Sequence, residues 1–207
     1  TEIAQAIGVK PVFKQISVAA RIPELQQGHV DLLAASLTHN KEREALVDFS
    51  YSIIVTGQKA LVKKNAGFAS LHDLDGKKVL TVKGGTQEPN IRKALPNAQV
   101  VTFETSQQAL LALQQGKGQA FVDDESALVN DFGKLGAAAG GYAILPENLS
   151  TEALAIAFRK GNPQLKQLVD STLAGLERSG AAEQLYLKWY GPGTKSNLSE
   201  RHFKIDS

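Results

Sequence analysis

The stretch from Lys78 to Phe132 constrains the fold more than any other part of the chain. Lys78–Val82 is an apolar, β-branched run and reads as a strand. It opens into a glycine-rich loop, Lys83-Gly84-Gly85-Thr86. Gln87–Ala94 follows with helical character, and Pro89 is tolerable only in the first turn of that helix. Gln99–Phe103 is a second strand. Gln107–Gln115 is a second helix, with Ser106 as its cap and Gly116 as its stop. Gln119–Val122 is a third strand. It ends in Asp123-Asp124-Glu125, and Glu125–Phe132 reads as a further helix. Short strands alternating with helices specify an α/β fold with a largely parallel sheet. Ligands on such sheets bind beyond the carboxyl ends of the strands. The two polar loops that follow strands here are therefore the first places to look for function.

An earlier series has the same rhythm. Thr1–Ile7 reads as a helix with Gly8 as its stop, and Lys10–Ile16 as a strand through Val12, Phe13 and Ile16. Ile22–Gln27 reads as a short helix with Pro23 in its first turn and Gly28 at its end. Val30–Ala35 is an apolar run that reads as a buried strand. A loop from Ser36 to Asn40 follows, with a helix beginning near Asn40. Gln26-Gln27-Gly28-His29-Val30-Asp31-Leu32 resembles Gln114-Gln115-Gly116-Lys117-Gly118-Gln119-Ala120, each a helix end, a glycine stop and a strand. Between the two series lie a short extended piece, Val47–Ser50, and two β-rich runs, Ser52–Thr56 and Lys59–Lys63, separated by Gly57-Gln58. Ser70–Leu74 reads as a helical turn capped by Ser70, with Asp73 three residues on. Beyond the second series, Leu135–Gly141 reads as a loop or a weak helix end, and Tyr142–Leu145 and Ala153–Phe158 as strands. Asn162-Pro163 starts a helix with Leu165, Leu168, Val169, Thr172, Leu173 and Leu176 on one face. A last helix, Ala181–Tyr190, ends at Gly191-Pro192-Gly193. Two α/β series in 207 residues predict two small lobes.

Composition narrows the chemistry. The net charge of +2 and an aromatic content of 6% give no footprint for a nucleic acid. No apolar run approaches the roughly 20 residues of a membrane-spanning helix. The chain has no cysteine, which removes disulfides, thiolate metal sites and a Cys nucleophile. The four histidines, His29, His39, His72 and His202, lie far apart without metal-ligand spacing. There is no G-x-S-x-G for a serine nucleophile. Neither the phosphate loop G-x-x-x-x-G-K-[ST] nor the dinucleotide fingerprint G-x-G-x-x-G is present.

Three constellations remain. In Ser36-Leu37-Thr38-His39-Asn40-Lys41-Glu42-Arg43, Arg43 falls in the first turn of a helix, where a cation opposes the helix dipole. Either the guanidinium answers a carboxylate that also meets the N–H groups of the loop, or it is a solvated side chain paired with Glu42 or Glu44. Lys83-Gly84-Gly85-Thr86 is either a carboxylate-binding loop or a plain tight turn. Asp123-Asp124-Glu125 either receives a ligand ammonium or forms an acidic helix N-terminus. Taken together, the three answer an α-carboxylate and an α-ammonium at once, and an amino acid is the smallest ligand carrying both.

These residues also carry a resemblance. Arg21-Ile22-Pro23-x-Leu25-x-x-Gly28-x-Val30-Asp31-Leu32, followed by Thr38, Glu42-Arg43 and Asp48-Phe49-Ser50, is similar to the signature of the polar amino-acid-binding proteins of ABC uptake systems, solute-binding protein family 3. Asp73-Leu74-Asp75-Gly76-Lys77-Lys78-Val79, Gly85-Thr86 and Leu113-x-x-Gly116-x-x-x-Ala120-x-Val122-x-Asp124 continue it, and the Gly161–Tyr190 region resembles the family's C-terminal helices. Asn197-Leu198 and Phe203-Lys204-Ile205 look most like the glutamate/aspartate branch. The resemblance implies a type II periplasmic binding protein, α/β, with two small mixed sheets flanked by helices and joined by two hinge strands. Residues 1–53 and 157–207 would form one lobe and residues 54–156 the other. It implies a periplasmic or extracytoplasmic location, no cofactor, an amino-acid ligand such as glutamate or aspartate, and an ABC transporter permease as partner. Arg43 would clamp the ligand carboxylate, with Ser36 and Thr38 adding contacts. Thr86 and the Gln87 N–H would close on the carboxylate from the other lobe, and Asp124 would take the ammonium. Lys83 and Asp123 would set side-chain selectivity.

The family begins with a strand, a ligand-contacting loop and a helix, and this sequence starts within that helix, with no methionine. The resemblance leads one to expect either an upstream segment outside this sequence or another element or second chain that completes the first lobe's sheet. Two other functions are compatible with the same fold. One is an enzyme resembling cyclohexadienyl dehydratase, with Glu88 or Glu125 as the proton-transfer carboxylate. The other is a sensor domain.

Overall fold

The computed structural model describes residues 1–194 and 201–205. Along the chain lie α1 (Glu2–Ala6), α2 (Arg21–Gln26), β1 (Leu32–Thr38), α3 (Lys41–Glu44), β2 (Asp48–Lys63), β3 (Lys78–Val82), α4 (Gln87–Ala94), β4 (Gln99–Phe103), α5 (Ser106–Gln114), β5 (Ala120–Asp124), α6 (Glu125–Lys134), β6 (Tyr142–Ile144), β7 (Ser150–Phe158), α7 (Pro163–Arg178) and α8 (Ala181–Tyr190). The chain divides into two compact units. One comprises Thr1–Ile16, Ala20–Val55 and Ala153–Ser207, the other Ser17–Ala19 and Thr56–Glu152. The chain passes from one to the other inside β2 and again inside β7. Among the described residues, no helix is long and apolar enough to cross a membrane.

The second unit holds a mixed sheet. β3 lies between β4 and β5 and is parallel to both, while β2 pairs antiparallel with β5 and with β6. Side chains alternate across this sheet as the pleat requires. Leu61, Leu80 and Phe121 enter one core with Leu110 and Leu113 of α5 and Leu128 of α6. Their neighbours Ala60, Val62, Val79, Ala120 and Val122 enter another with Ile91 of α4. Both faces are thus covered by apolar side chains, which explains why these strands read as continuous apolar runs rather than alternating ones.

In the first unit β1 pairs antiparallel with β7, which also neighbours β2. The parallel rhythm expected of the first series is not followed, because the partner of β1 is a returning strand from late in the chain. Ala155 and Ala157 face a core with Leu25, Leu33, Leu37 and Phe49. Ile156 and Phe158 face another with Val169 and Leu173 of α7 and Ala182 of α8. Asn162 caps α7, its Oδ1 accepting from the Leu165 N–H at 3.0 Å.

Several boundaries differ from the sequence reading. Lys10–Ile16 forms no strand, and Val12 and Phe13 are 94% and 83% exposed. The apolar run expected to end at Ala35 continues as strand through Thr38. Gly57-Gln58 does not break the β-rich region, because β2 runs unbroken through it. Gly57 instead lets the Asn148 side chain approach to where a Cβ would stand. Thr105, in extended conformation, caps α5 in place of Ser106. At the turn before β3, His72–Leu74, Ser70 makes no side-chain cap; the Asp73 carboxylate inside the turn reaches back instead and accepts from the N–H groups of Ala69 and Ser70 at 2.8 Å.

Candidate functional site

In the first unit the site residues gather at the carboxyl end of β1. Leu33 and Leu37 both enter the core, yet they face Ala157 and Ala155, so β1 carries extra residues where β7 does not. Ser36 sits in this irregularity with φ of 47°, a left-handed conformation unusual for a residue with a side chain. The strand bends there, and its last carbonyls meet two guanidinium groups. Arg21 Nη1 donates to Ser36 O at 3.4 Å, and Arg43 Nη1 donates to Thr38 O at 3.0 Å. Asn40 caps α3 by accepting from the Arg43 N–H at 2.9 Å. This helix is only four residues long, so its dipole is small and Arg43 suffers little from it. Of the two carboxylates weighed as partners for Arg43, Glu44 is engaged by His39 Nε2 at 2.6 Å. The His39 ring stacks on Phe49 at 4.4 Å. Ser36, Thr38 and Arg43 are brought together as a group.

The second unit gathers its residues at the carboxyl ends of the parallel strands β3 and β5. The register Leu80↔Phe121 brings the loop Lys83–Thr86 beside Asp123 and Asp124. Both aspartates are buried, and both take hydrogen bonds from Gln87, the first residue of α4. Its Nε2 donates to Asp123 Oδ1 at 2.8 Å and to Asp124 Oδ1 at 3.3 Å. Asp123 Oδ1 also accepts from the Asp124 N–H at 2.9 Å. Gln58, opposite Asp124 in the ladder, donates to Asp124 Oδ1 at 3.4 Å and to Thr86 Oγ1 at 2.8 Å.

Thr86 in turn donates its hydroxyl proton to Glu152 Oε2 at 3.0 Å. Glu152 is 5% exposed, and its Oε1 accepts from Asn90 Nδ2 at 2.9 Å and Ser150 Oγ at 2.7 Å. Asn90 Nδ2 also donates to Gln58 Oε1 at 2.9 Å, which closes the network. A buried carboxylate held by neutral donors keeps the Thr86 hydroxyl pointed at it. A hydroxyl has one proton, so Thr86 can add acceptance through its oxygen or donation from its backbone N–H, but not a second O–H donation.

Lys83 does not join this group. Its ammonium lies 3.4 Å from Glu104, with both side chains largely exposed. It lines an open groove of about 580 Å³ with Glu104, Gln108 and Lys117, which contains none of the buried cluster. Glu88 and Glu125, the candidate proton-transfer groups, are each bonded to a cation, Arg92 at 2.8 Å and Lys59 at 2.7 Å. Among the described residues no group of three or more His, Asp or Glu side chains is placed to hold a metal ion.

Sequence reasoning missed four participants: Arg21, Gln58, Asn90 and Glu152. Arg21 stood in the family signature but carried no role. Gln58, Asn90 and Glu152 come from three distant segments and belong to no local motif; the signals were a polar residue inside the β-rich region of β2 and an acidic one at the start of β7, with none for Asn90 on α4.

Comparison with known proteins places this geometry in context. Residues 1–192 match the bacterial extracellular solute-binding proteins, family 3. The chain is 35% identical over 183 residues to the ABC transporter glutamine-binding protein GlnH of Bacillus subtilis (strain 168), covering 87% of this chain and 65% of that protein. It is 31% identical over 184 residues to the glutamate/aspartate import solute-binding protein of Salmonella typhimurium, covering 86% and 61%. It thus spans less than two thirds of the length of these curated relatives. Among solved structures, an ancestral arginine-binding protein bound to arginine superposes with a TM-score of 0.85 at 34% identity, over 92% of this chain and 84% of that one. The two-lobed, mixed α/β fold is that of these binding proteins, and the chain belongs to the bacterial extracellular solute-binding proteins, family 3.

Proposed function

We propose that this protein captures a polar amino acid outside the cytoplasm, in the periplasm or its equivalent, and delivers it to an ABC transporter permease. The observation that carries the reading is the opposite chemistry of the two polar clusters. The first unit groups guanidinium donors at the end of β1, Arg43 on Thr38 O and Arg21 on Ser36 O. The second presents acceptors, the buried Asp124 and the half-buried Thr86 oxygen, beside Asp123 and Glu152. A zwitterion needs both kinds of partner.

In this reading Arg43 takes the α-carboxylate, with Ser36 and Thr38 beside it. The backbone N–H groups of Thr86 and Gln87 add to the carboxylate, and Asp124 takes the ammonium. Asp123, whose Oδ1 accepts from both Gln87 Nε2 and the Asp124 N–H, orients these two neighbours. Lys83, turned to Glu104, drops out of the ligand set. The glutamate/aspartate expectation rested partly on Asn197-Leu198, which lie outside the described residues. The ion-paired state of Glu88 and Glu125 supports binding over the dehydratase reading.

A thermal-shift screen of the twenty amino acids, followed by calorimetry on the hits, tests the proposal. Prephenate and arogenate are included and assayed for turnover. Saturable one-to-one binding of an amino acid without turnover is expected. Turnover of a cyclohexadienyl acid, or no shift with any amino acid, sinks it.

A further inference from the structure

The Gln87 side chain is 7% exposed, and its two ends meet different surroundings. The Nε2 end donates to both Asp123 and Asp124. That fixes the orientation of the amide, since the opposite flip would set a carbonyl oxygen against two carboxylate oxygens. The Oε1 end is therefore held away from the aspartates. It is buried without a hydrogen-bond partner, whereas nearly every buried polar atom of a native protein has one. It lies over Gly85, 1.9 Å from where a Cβ of that residue would stand. Donation of the amide protons to two carboxylates also polarises the group and leaves Oε1 a stronger acceptor.

We infer that Gln87 Oε1 is the side-chain selector of the site: it accepts a hydrogen bond from an N–H at the end of the ligand's side chain. The ligand class is then an amino acid ending in a carboxamide, guanidinium or ammonium group, rather than glutamate or aspartate. This rests on the amino-acid-binding reading above and refines it. A ligand side-chain carboxylate would face the Gln87 carbonyl oxygen with no proton between them, and the amide cannot turn to meet it without breaking its bonds to Asp123 and Asp124. A site built to accept from an N–H rejects the isostere lacking it strongly, because a buried acceptor is then left unpaired. Gly85 contributes by its missing side chain, because a Cβ there would occupy the place of Oε1.

Glutamine and glutamate, nearly equal in size, are the informative pair, with arginine and lysine as longer donors. Calorimetry on the wild-type protein is expected to show the best of glutamine, arginine and lysine binding at least tenfold tighter than glutamate or aspartate. In Gln87→Leu that ratio is expected to fall towards one. A purely structural role would weaken all ligands in parallel and leave the ratio intact, which overturns the assignment to Gln87. If Gln87→Leu does not fold, Gln87→Asn serves instead, because the shorter amide cannot hold both aspartates and keep its oxygen in place. The wild-type ranking needs no variant: a tightest ligand without a side-chain N–H overturns the inference while leaving the binding reading intact. Absence of any amino-acid binding overturns both.

Discussion

Single residues matter here through what holds them. Arg43 has five N–H donors on a planar fork, and one bond of that fork, to Thr38 O at 3.0 Å, ties it to the end of β1. The Asn40 side chain fixes its backbone in the only turn of α3. A side chain anchored this way meets a carboxylate with less conformational entropy to lose than a free lysine would. Arg43→Ala is therefore expected to weaken the tightest amino-acid ligand by about 2–4 kcal/mol, roughly 30- to 1,000-fold. Arg43→Lys keeps the charge but loses the fork, and should recover only part of this. Calorimetry on both variants, with melting curves to show retained folding, checks it. Unchanged affinity in Arg43→Ala would remove this residue from the site.

At the scale of elements, the glycine loop after β3 shows how local sequence becomes geometry. Gly84 has φ of 85°, and a Cβ there would lie 2.6 Å from the Ala19 Cα. Backbone cannot step aside as a side chain tip can. Gly84→Ala should thus combine about 1–2 kcal/mol of left-handed strain with a steric term of about 1–3 kcal/mol. Gly116 has a similar φ of 73° but open space around its Cβ position, so Gly116→Ala should show the strain alone. Urea denaturation of the two variants side by side separates the terms, and equal losses would mean the Ala19 contact is irrelevant. Asn162→Ala removes the cap of α7 and should cost about 1 kcal/mol, with Asn162→Asp close to wild type in thermal melts.

The same scale shows what was legible in the sequence. Strands β3 and β4 and helix α4 were readable because apolar runs, glycines and Pro89 agree on the same boundaries, whereas β5 runs on from the expected end at Val122 through Asp124. Lys10–Ile16 was misread because alternation alone cannot supply a strand partner, and a strand needs one for its N–H and C=O groups. Gly57 was misread because a glycine required for close approach looks, in one dimension, like a glycine required for a turn. Thr105 and Ser106 are adjacent hydroxyls, and only the extended backbone at Thr105 decides which one caps. In the proposed site, the motif residues Ser36, Thr38, Arg43, Thr86 and Asp124 could be nominated from the sequence. The supports Gln58, Asn90 and Glu152 were not, because the sheet brings them together across 32 and 62 positions of sequence.

For the molecule as a whole, the carboxylates held below their ordinary range are spread over both units. In the first unit, Arg201 holds the Glu177 carboxyl down, opposed by burial and aided by the Ile205 N–H, and Lys14 does the same for Glu24. In the second, the N–H groups of Ser70 and Ala69 hold Asp73 down, and Asn97 holds Asp75 down. A carboxyl with a lower pKa in the folded chain than in the unfolded one stabilises the fold at pH values above its unfolded pKa, about 4. That contribution disappears as the pH falls through the folded value. Both units should therefore lose stability on acidification, with little change between pH 7 and 5 and a progressive fall below about pH 4. Glu177 gives the sharpest test, because the same carboxylate ties Arg201 and Ile205 to α7. Glu177→Gln should cost about 1–3 kcal/mol near neutral pH, as expected for lost hydrogen bonds to a charged group. The gap between this variant and wild type should close as the pH drops from 5 to 3, since the wild-type carboxyl then takes up its proton. Denaturant midpoints at pH 7, 5, 4 and 3 read both effects, and a gap that stays constant across that range would show that the charge on Glu177 does not stabilise the fold.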